Sequence, residues 1–167
     1  DNPEKSKRGL YRIKDNYIKF WFAFVYPNMS FLESGNSEIV MSKIRNGLVS
    51  NQIAFVYEDI CREKMWQLNA EGVWDFHFSK IGRYWDNKVE IDIAALDPDG
   101  KNLILGECKY WTEPVGINIL KDLEKKSESV GWEINRRKVH YVLFSISGFT
   151  PELESYVATH PDVKLFR

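Results

Sequence analysis

Residues 89–111 constrain this chain most: two apolar runs flank the sequence Asp97-Pro98-Asp99-Gly100. Pro and Gly stand where a tight turn wants them, so the stretch reads as a β-hairpin with strands over residues 89–96 and 102–111. Ile91, Ile93, Ala94, Ala95 and Leu96 precede the turn, and Leu103, Ile104 and Leu105 follow it. Such near-continuous runs belong to buried strands, yet Asp92, Glu107 and Lys109 stand inside them. Charges there are expensive and call for a reason.

The register supplies one. Strand side chains alternate between faces, so Glu107 and Lys109 project to the same side. A turn centred near residues 99 and 100 sets Asp92 roughly opposite Glu107, where facing side chains are neighbours. Two adjacent carboxylates repel unless a positive charge lies between them. Lys109 is one such charge, and a divalent cation is a better one; hard oxygen ligands suit Mg²⁺ or Mn²⁺. A cation held by Asp92 and Glu107 lowers the pKa of a bound water and clamps a phosphate oxygen. Lys109 then orients that water or stabilises charge building on phosphorus. Two bland alternatives compete. An E-x-K on a strand is commonly an edge salt bridge worth little. Glu90, two residues before Asp92 and on the same face by alternation, is either a rival ligand or a solvated strand end.

The rest of the chain supplies the surroundings. A helix is expected from Asp15, with Asp15 or Asn16 as its cap, to Pro27; with Phe20, Trp21, Phe22 and Phe24 in it, it should be buried on most sides. A loop at Gly35-Asn36-Ser37 and a modest helix through Ile39, Val40, Ile44 and Leu48 follow. Over residues 51–68, Ile53, Val56, Tyr57, Ile60 and Cys61 fall on one helical face. That helix offers Glu58 as a further carboxylate for the same cation, directly or through water. Residues 73–78 alternate like a strand, and 82–87 read as a connection. After Pro114 come a helix over 115–132, a buried strand over 140–144, a short helix opened by Thr150-Pro151-Glu152, and a strand over 163–166. The order, two helices and then α-β-β-β-α-β-α-β, predicts an α/β fold with a central mixed sheet flanked by helices. Residues 1–50 read as an N-terminal helical extension and 51–167 as the α/β domain.

A chain of 167 residues that is 44% hydrophobic can build one domain with a real core. A net charge of −1 excludes a bulk nucleic-acid coater but leaves room for a local basic face. Basic residues gather at Lys5, Lys7, Arg8, Arg12, Lys14 and Lys19, and again at Lys121, Lys125, Lys126, Arg136, Arg137 and Lys138. The second group is interleaved with acids and reads as an ordinary solvated helix. Cys61 and Cys108 lack a CxxC spacing, which argues against zinc and for a reducing, cytoplasmic interior. Cys108, between Glu107 and Lys109, should point into the core and be inert. His77, His140 and His160 share no spacing with the acids. The longest apolar stretch, residues 20–26, is far too short to span a bilayer, and no signal peptide is visible. The chain begins with Asp rather than Met, which reads as a piece of a longer protein.

A helix Glu, then an Asp, then E-x-K on a hairpin resembles the PD-(D/E)XK nuclease superfamily, with its restriction-endonuclease-like fold. More narrowly, the chain resembles the C-terminal domain of the archaeal-type P-loop ATPases. Arg8-Gly9-Leu10-Tyr11-Arg12-Ile13, Asp15-Asn16-Tyr17 and Phe20-Trp21-Phe22 carry that likeness at the start. Tyr57-Glu58, Ile81-Gly82-Arg83-Tyr84-Trp85, Glu90-Ile91-Asp92-Ile93 and Gly106-Glu107-Cys108-Lys109-Tyr110-Trp111 carry it further on. The resemblance implies Glu58, Asp92, Glu107 and Lys109 as catalytic residues, the three acids being ligands of Mg²⁺ or Mn²⁺. Ile91 replaces the name-giving proline, a departure common across the superfamily. It also implies an upstream ATPase module and winged helix; this chain has no GxxxxGK[ST], hence no such ATP site. The expected function is a Mg²⁺-dependent nuclease acting on nucleic acid, DNA foremost, with Arg83, Tyr110 and Trp111 as nucleic-acid contacts. The alternatives are a catalytically silent module for nucleic-acid or partner binding and ATPase regulation, and, more distantly, a structural domain assembling through residues 17–26.

Overall fold

The computed structural model describes residues 13–167. The sequence features at Arg8-Gly9-Leu10-Tyr11-Arg12, and most of the first basic group, lie outside the described residues. Two compact units divide the chain, the first ending at Gln52 and the second running Ile53–Arg167. Among the described residues, no helix is long and apolar enough to cross a membrane.

The first unit is helical. Asp15 caps α1 (Asn16–Phe20) by accepting the Ile18 N–H at 2.9 Å. The helix does not stop at Pro27: it passes through a π turn, Trp21–Val25, and a 3₁₀ turn, Tyr26–Asn28, into α2 (Met29–Glu33). Proline in the first turn of a helical segment lacks only an N–H that would be unpaired anyway. Nor is the segment buried on most sides, since Phe24 is buried while Tyr17, Phe22 and Tyr26 are exposed. α3 (Ser37–Leu48) follows the Gly35 turn, as expected.

The second unit opens with α4 (Ala54–Ala70), whose inner stripe is Glu58, Cys61, Met65, Leu68 and Asn69. Ile60, assigned to that face from its spacing, is exposed. Residues 73–78 form no strand. Trp74 and Phe78 are buried, but Asn69 takes the place of a partner strand. Its side-chain amide donates to the Phe78 carbonyl and accepts the Phe78 N–H, both at 3.1 Å. The first strand, β1 (Lys80–Trp85), lies where a connection was expected. Then come β2 (Glu90–Leu96), β3 (Asn102–Lys109), α5 (Ile117–Ser127), β4 (Lys138–Ser145), α6 (Pro151–Val157) and β5 (Val163–Phe166).

The five strands pair in sequence order, β1 to β5. β1, β2 and β3 are antiparallel neighbours, while β3–β4 and β4–β5 are parallel, so the sheet is mixed. Helices cover both faces. Cys61, Met65 and Leu68 of α4 pack on Ile93, Ala95, Ile104 and Cys108. Leu120 and Leu123 of α5 and Leu153 of α6 pack on Ile91, Leu103, Leu105 and Leu143. This is the expected α/β architecture, a central mixed sheet flanked by helices, with β3 as its middle strand.

One irregularity matters. β1 pairs with β2 as Gly82↔Ala94 and then as Tyr84↔Ile91, so β2 carries one extra residue at Asp92-Ile93. This β-bulge breaks the alternation of faces. Ile91 points to the α5 side and Ile93 to the α4 side, although they are two residues apart.

Candidate active site

β3 delivers Glu107 and Lys109. Ile104 and Cys108 fill the α4-side core, so the intervening Glu107 turns to the α5 side, with Lys109 beside it. Glu107 is only 4% exposed. Its two oxygens are held separately: Lys109 Nζ donates to Oε2 at 2.5 Å and Lys126 Nζ, from α5, to Oε1 at 2.5 Å. Burial works to raise the Glu107 carboxyl, but the two ammoniums outweigh it and hold the group below the usual glutamate range. For Lys109, burial works downward, and Glu107 more than offsets it, so this ammonium is held firmly protonated.

The bulge positions Asp92. The β2–β3 ladder runs from Leu96↔Leu103 to Ile93↔Gly106, the register the turn predicts, and the next position is Asp92 with Glu107. There the Cys108 N–H donates to the Asp92 carboxylate at 2.9 Å, while Arg62 donates to the Asp92 carbonyl at 3.0 Å. Burial and the Glu107 charge push the Asp92 carboxyl above the usual aspartate range, against the pull of the Cys108 N–H, Lys109 and Arg83.

Glu58 is buried on the α4 side, where Arg62 at 3.7 Å and Arg83 at 3.3 Å flank it. Arg83 also pairs with Glu90 at 2.9 Å, so Glu90 serves a salt bridge at an exposed strand end. The bulge, moreover, breaks the alternation that would have set Glu90 on the face of Asp92. Asp92, Glu107 and Lys109 are thus brought together, while Glu58 sits among arginines beneath the opposite face. Among the described residues, no three His, Cys, Asp or Glu side chains converge closely enough to hold a metal ion as they stand.

Beside Glu107 opens a cleft of about 360 Å³, walled by Val89, Trp111 and Ile119 and carrying Lys109, Asp122, Lys125 and Lys126. Trp111 is 46% exposed there, with the Lys109 ammonium 5.6 Å from its ring centre. Tyr110 instead packs edge-on against Tyr57 of α4, at 5.6 Å, and Arg83 is committed to Glu58 and Glu90. The neighbouring Cys61 thiol and burial push the Cys108 thiol far up, so it carries no thiolate character.

Lys126 was missed by sequence reasoning, which took its helix for an ordinary solvated one. A signal existed. Leu120, Leu123 and Ser127 mark the inner stripe of α5. Ile119, Asp122 and Lys126 form the stripe beside it, at spacings of three and four, and this stripe lines the cleft.

An uncharacterized protein of Methanocaldococcus jannaschii is 37% identical over 130 residues, which make up 76% of this chain and 29% of that relative. The chain therefore spans under a third of the length of the curated relative it matches. Among solved structures, a repair endonuclease from Pyrococcus abyssi aligns over 64% of this chain and 46% of its own, at 13% identity and a TM-score of 0.36. The model of DUF234, archaeal and bacterial proteins of unknown function, matches residues 21–129, the span that holds α4, the hairpin and all the acids described above, and the chain belongs to that family.

Proposed function

We propose that this chain carries a Mg²⁺- or Mn²⁺-dependent nuclease domain that hydrolyses phosphodiester bonds in nucleic acid, DNA foremost. The observation that carries the reading is the Asp92–Glu107 pair. A bulge sets the half-buried Asp92 carboxylate beside the buried Glu107 at the end of a hairpin ladder, and burial together with the Glu107 charge pushes Asp92 up. A protein gains no stability from such repulsion, and a divalent cation relieves it. The donors are oxygens only, as Mg²⁺ and Mn²⁺ require.

Asp92 and Glu107 would hold the cation, while Glu58 is held by its arginines on the other face, and a bound cation would supply an acidified water and a clamp on a phosphate oxygen. Lys109, kept protonated by Glu107, donates to the non-bridging oxygen that gains charge as the water attacks. Trp111 offers an exposed face to a sugar or base beside that phosphate. The resemblance to the archaeal-type ATPases further suggests a cytoplasmic parent protein in which an upstream ATPase and winged helix control this domain.

A second reading has its own support. Both Glu107 oxygens are held by lysines and Glu58 lies among arginines, so the acids are compensated without any cation. That favours a silent nuclease-fold module that docks nucleic acid or a partner. Cleavage of single- and double-stranded DNA and RNA with Mg²⁺ or Mn²⁺ separates the two. The nuclease reading expects metal-dependent cutting that falls at least about a hundredfold in Asp92→Ala and Lys109→Ala. Cutting that survives both substitutions, or none in any metal, favours the silent module.

A further inference from the structure

We infer that Lys126 is a displaceable counter-ion: it holds Glu107 while no cation is bound, swings into the cleft when one binds, and there anchors a substrate phosphate. This deepens the nuclease reading and rests on it.

The two lysines on Glu107 are not equivalent. Lys109 stands two residues away on the same strand, its side chain is 20% exposed, and the Trp111 ring backs it. It has little room to leave. Lys126 reaches Glu107 from another element, α5, and its side chain is 34% exposed at the cleft mouth. Its flexible stem gives the ammonium a second position without any backbone movement.

Charge bookkeeping requires a departure. Asp92, Glu107, Lys109 and Lys126 together carry no net charge. A divalent cation on the two carboxylates leaves the group two charges in surplus and sets that cation against an ammonium on the same carboxylate oxygen. Like charges at that separation repel strongly in a buried site. Both Glu107 oxygens already accept an ammonium, so a cation bound there would lie against one of them. Of the two, the more exposed one yields. The cleft is where it can go. Lys125 lines the same wall, one residue away on α5, and with Asp122 as the lone acid of that wall the freed ammonium still joins a surplus of cations beside the site, where a phosphate would lie.

The test is Mn²⁺ binding, followed by electron paramagnetic resonance, in the wild-type chain, Lys126→Met, Lys126→Arg and Asp92→Ala. Methionine keeps the apolar stem and removes the charge; thermal melts confirm that each variant folds. Lys126→Met is expected to bind Mn²⁺ about tenfold more tightly than wild type, Lys126→Arg to match wild type, and Asp92→Ala to lose the ion. With Mn²⁺ present, the salt dependence of binding to a short single-stranded oligonucleotide should flatten by about one counterion in Lys126→Met. Unchanged or weaker Mn²⁺ binding in Lys126→Met, with wild type still binding through Asp92, overturns the counter-ion and leaves the nuclease reading standing. An unchanged salt slope overturns the phosphate anchor. Loss of Mn²⁺ binding in every form, wild type included, removes the metal site and this inference together.

Discussion

Gly106, the residue before Glu107, shows how little freedom the site has. A Cβ there would lie 2.5 Å from Val142 Cγ1, 3.0 Å from the Val142 carbonyl oxygen and 3.2 Å from Ile93 Cβ. A backbone oxygen and a β-carbon of the flanking strands cannot step aside. Glycine is therefore needed for close approach of strands, not for an unusual φ. Gly106→Ala is expected to cost about 1–3 kcal/mol by overpacking, read as a lower urea midpoint at unchanged m-value. Because Glu107 is the next residue, the same strain displaces the carboxylate. A substitution at a residue that does not itself line the cleft should thus also weaken any metal binding. A urea midpoint within experimental error of wild type would show that β3 can shift freely, and the tight packing argued here would then be wrong.

At the scale of elements, the hairpin was the most legible part of the sequence, and its turn explains why. Asp97 accepts the N–H groups of Lys101 at 3.0 Å and Asn102 at 2.9 Å, and the Asn102 side-chain amide at 2.7 Å. Burial works to raise its carboxyl, but the Asn102 amide and the two backbone donors hold it below the usual aspartate range. A depressed carboxyl stabilises the fold fully above its unfolded value, about pH 4, and the contribution is lost as pH falls through the lower folded value. Asp97→Ala should therefore cost about 1–3 kcal/mol at pH 7, with the gap to wild type narrowing toward pH 3 in denaturant melts. A gap that widens in acid would contradict the assignment. Turn chemistry of this kind is local, so it can be read from neighbouring residues. What could not be read depended on distant partners. The alternation at residues 73–78 is real, but Asn69 of α4 supplies the hydrogen bonds that a neighbouring strand would have given. Glu58, read from the sequence as a further carboxylate for the cation, lies in the buried stripe of α4, where arginines from two elements meet it. The bulge at Asp92 leaves no mark in composition, since it is a property of the pairing with β1.

The whole molecule divides where its cores end. Every residue in the two hydrophobic clusters of the sheet comes from Tyr57 or later. A fragment spanning residues 53–167 should then fold alone, melt cooperatively and keep the Mn²⁺ affinity of the longer chain; a broad, non-cooperative melt would mean that residues before 53 complete the core. The order of the strands carries a consequence for how the site is born. β2 and β3 are joined by a turn of a few residues, whereas β4 reaches β3 only after the chain has travelled through α5. Short loops close first and long crossovers later. A nascent chain would therefore press Asp92 against Glu107 with Lys109 as the hairpin's own counter-charge, before Lys126 arrives, and the hairpin would zip up with one negative charge of the pair still unmatched. Any divalent ion in the surrounding solution would be a folding aid at that moment.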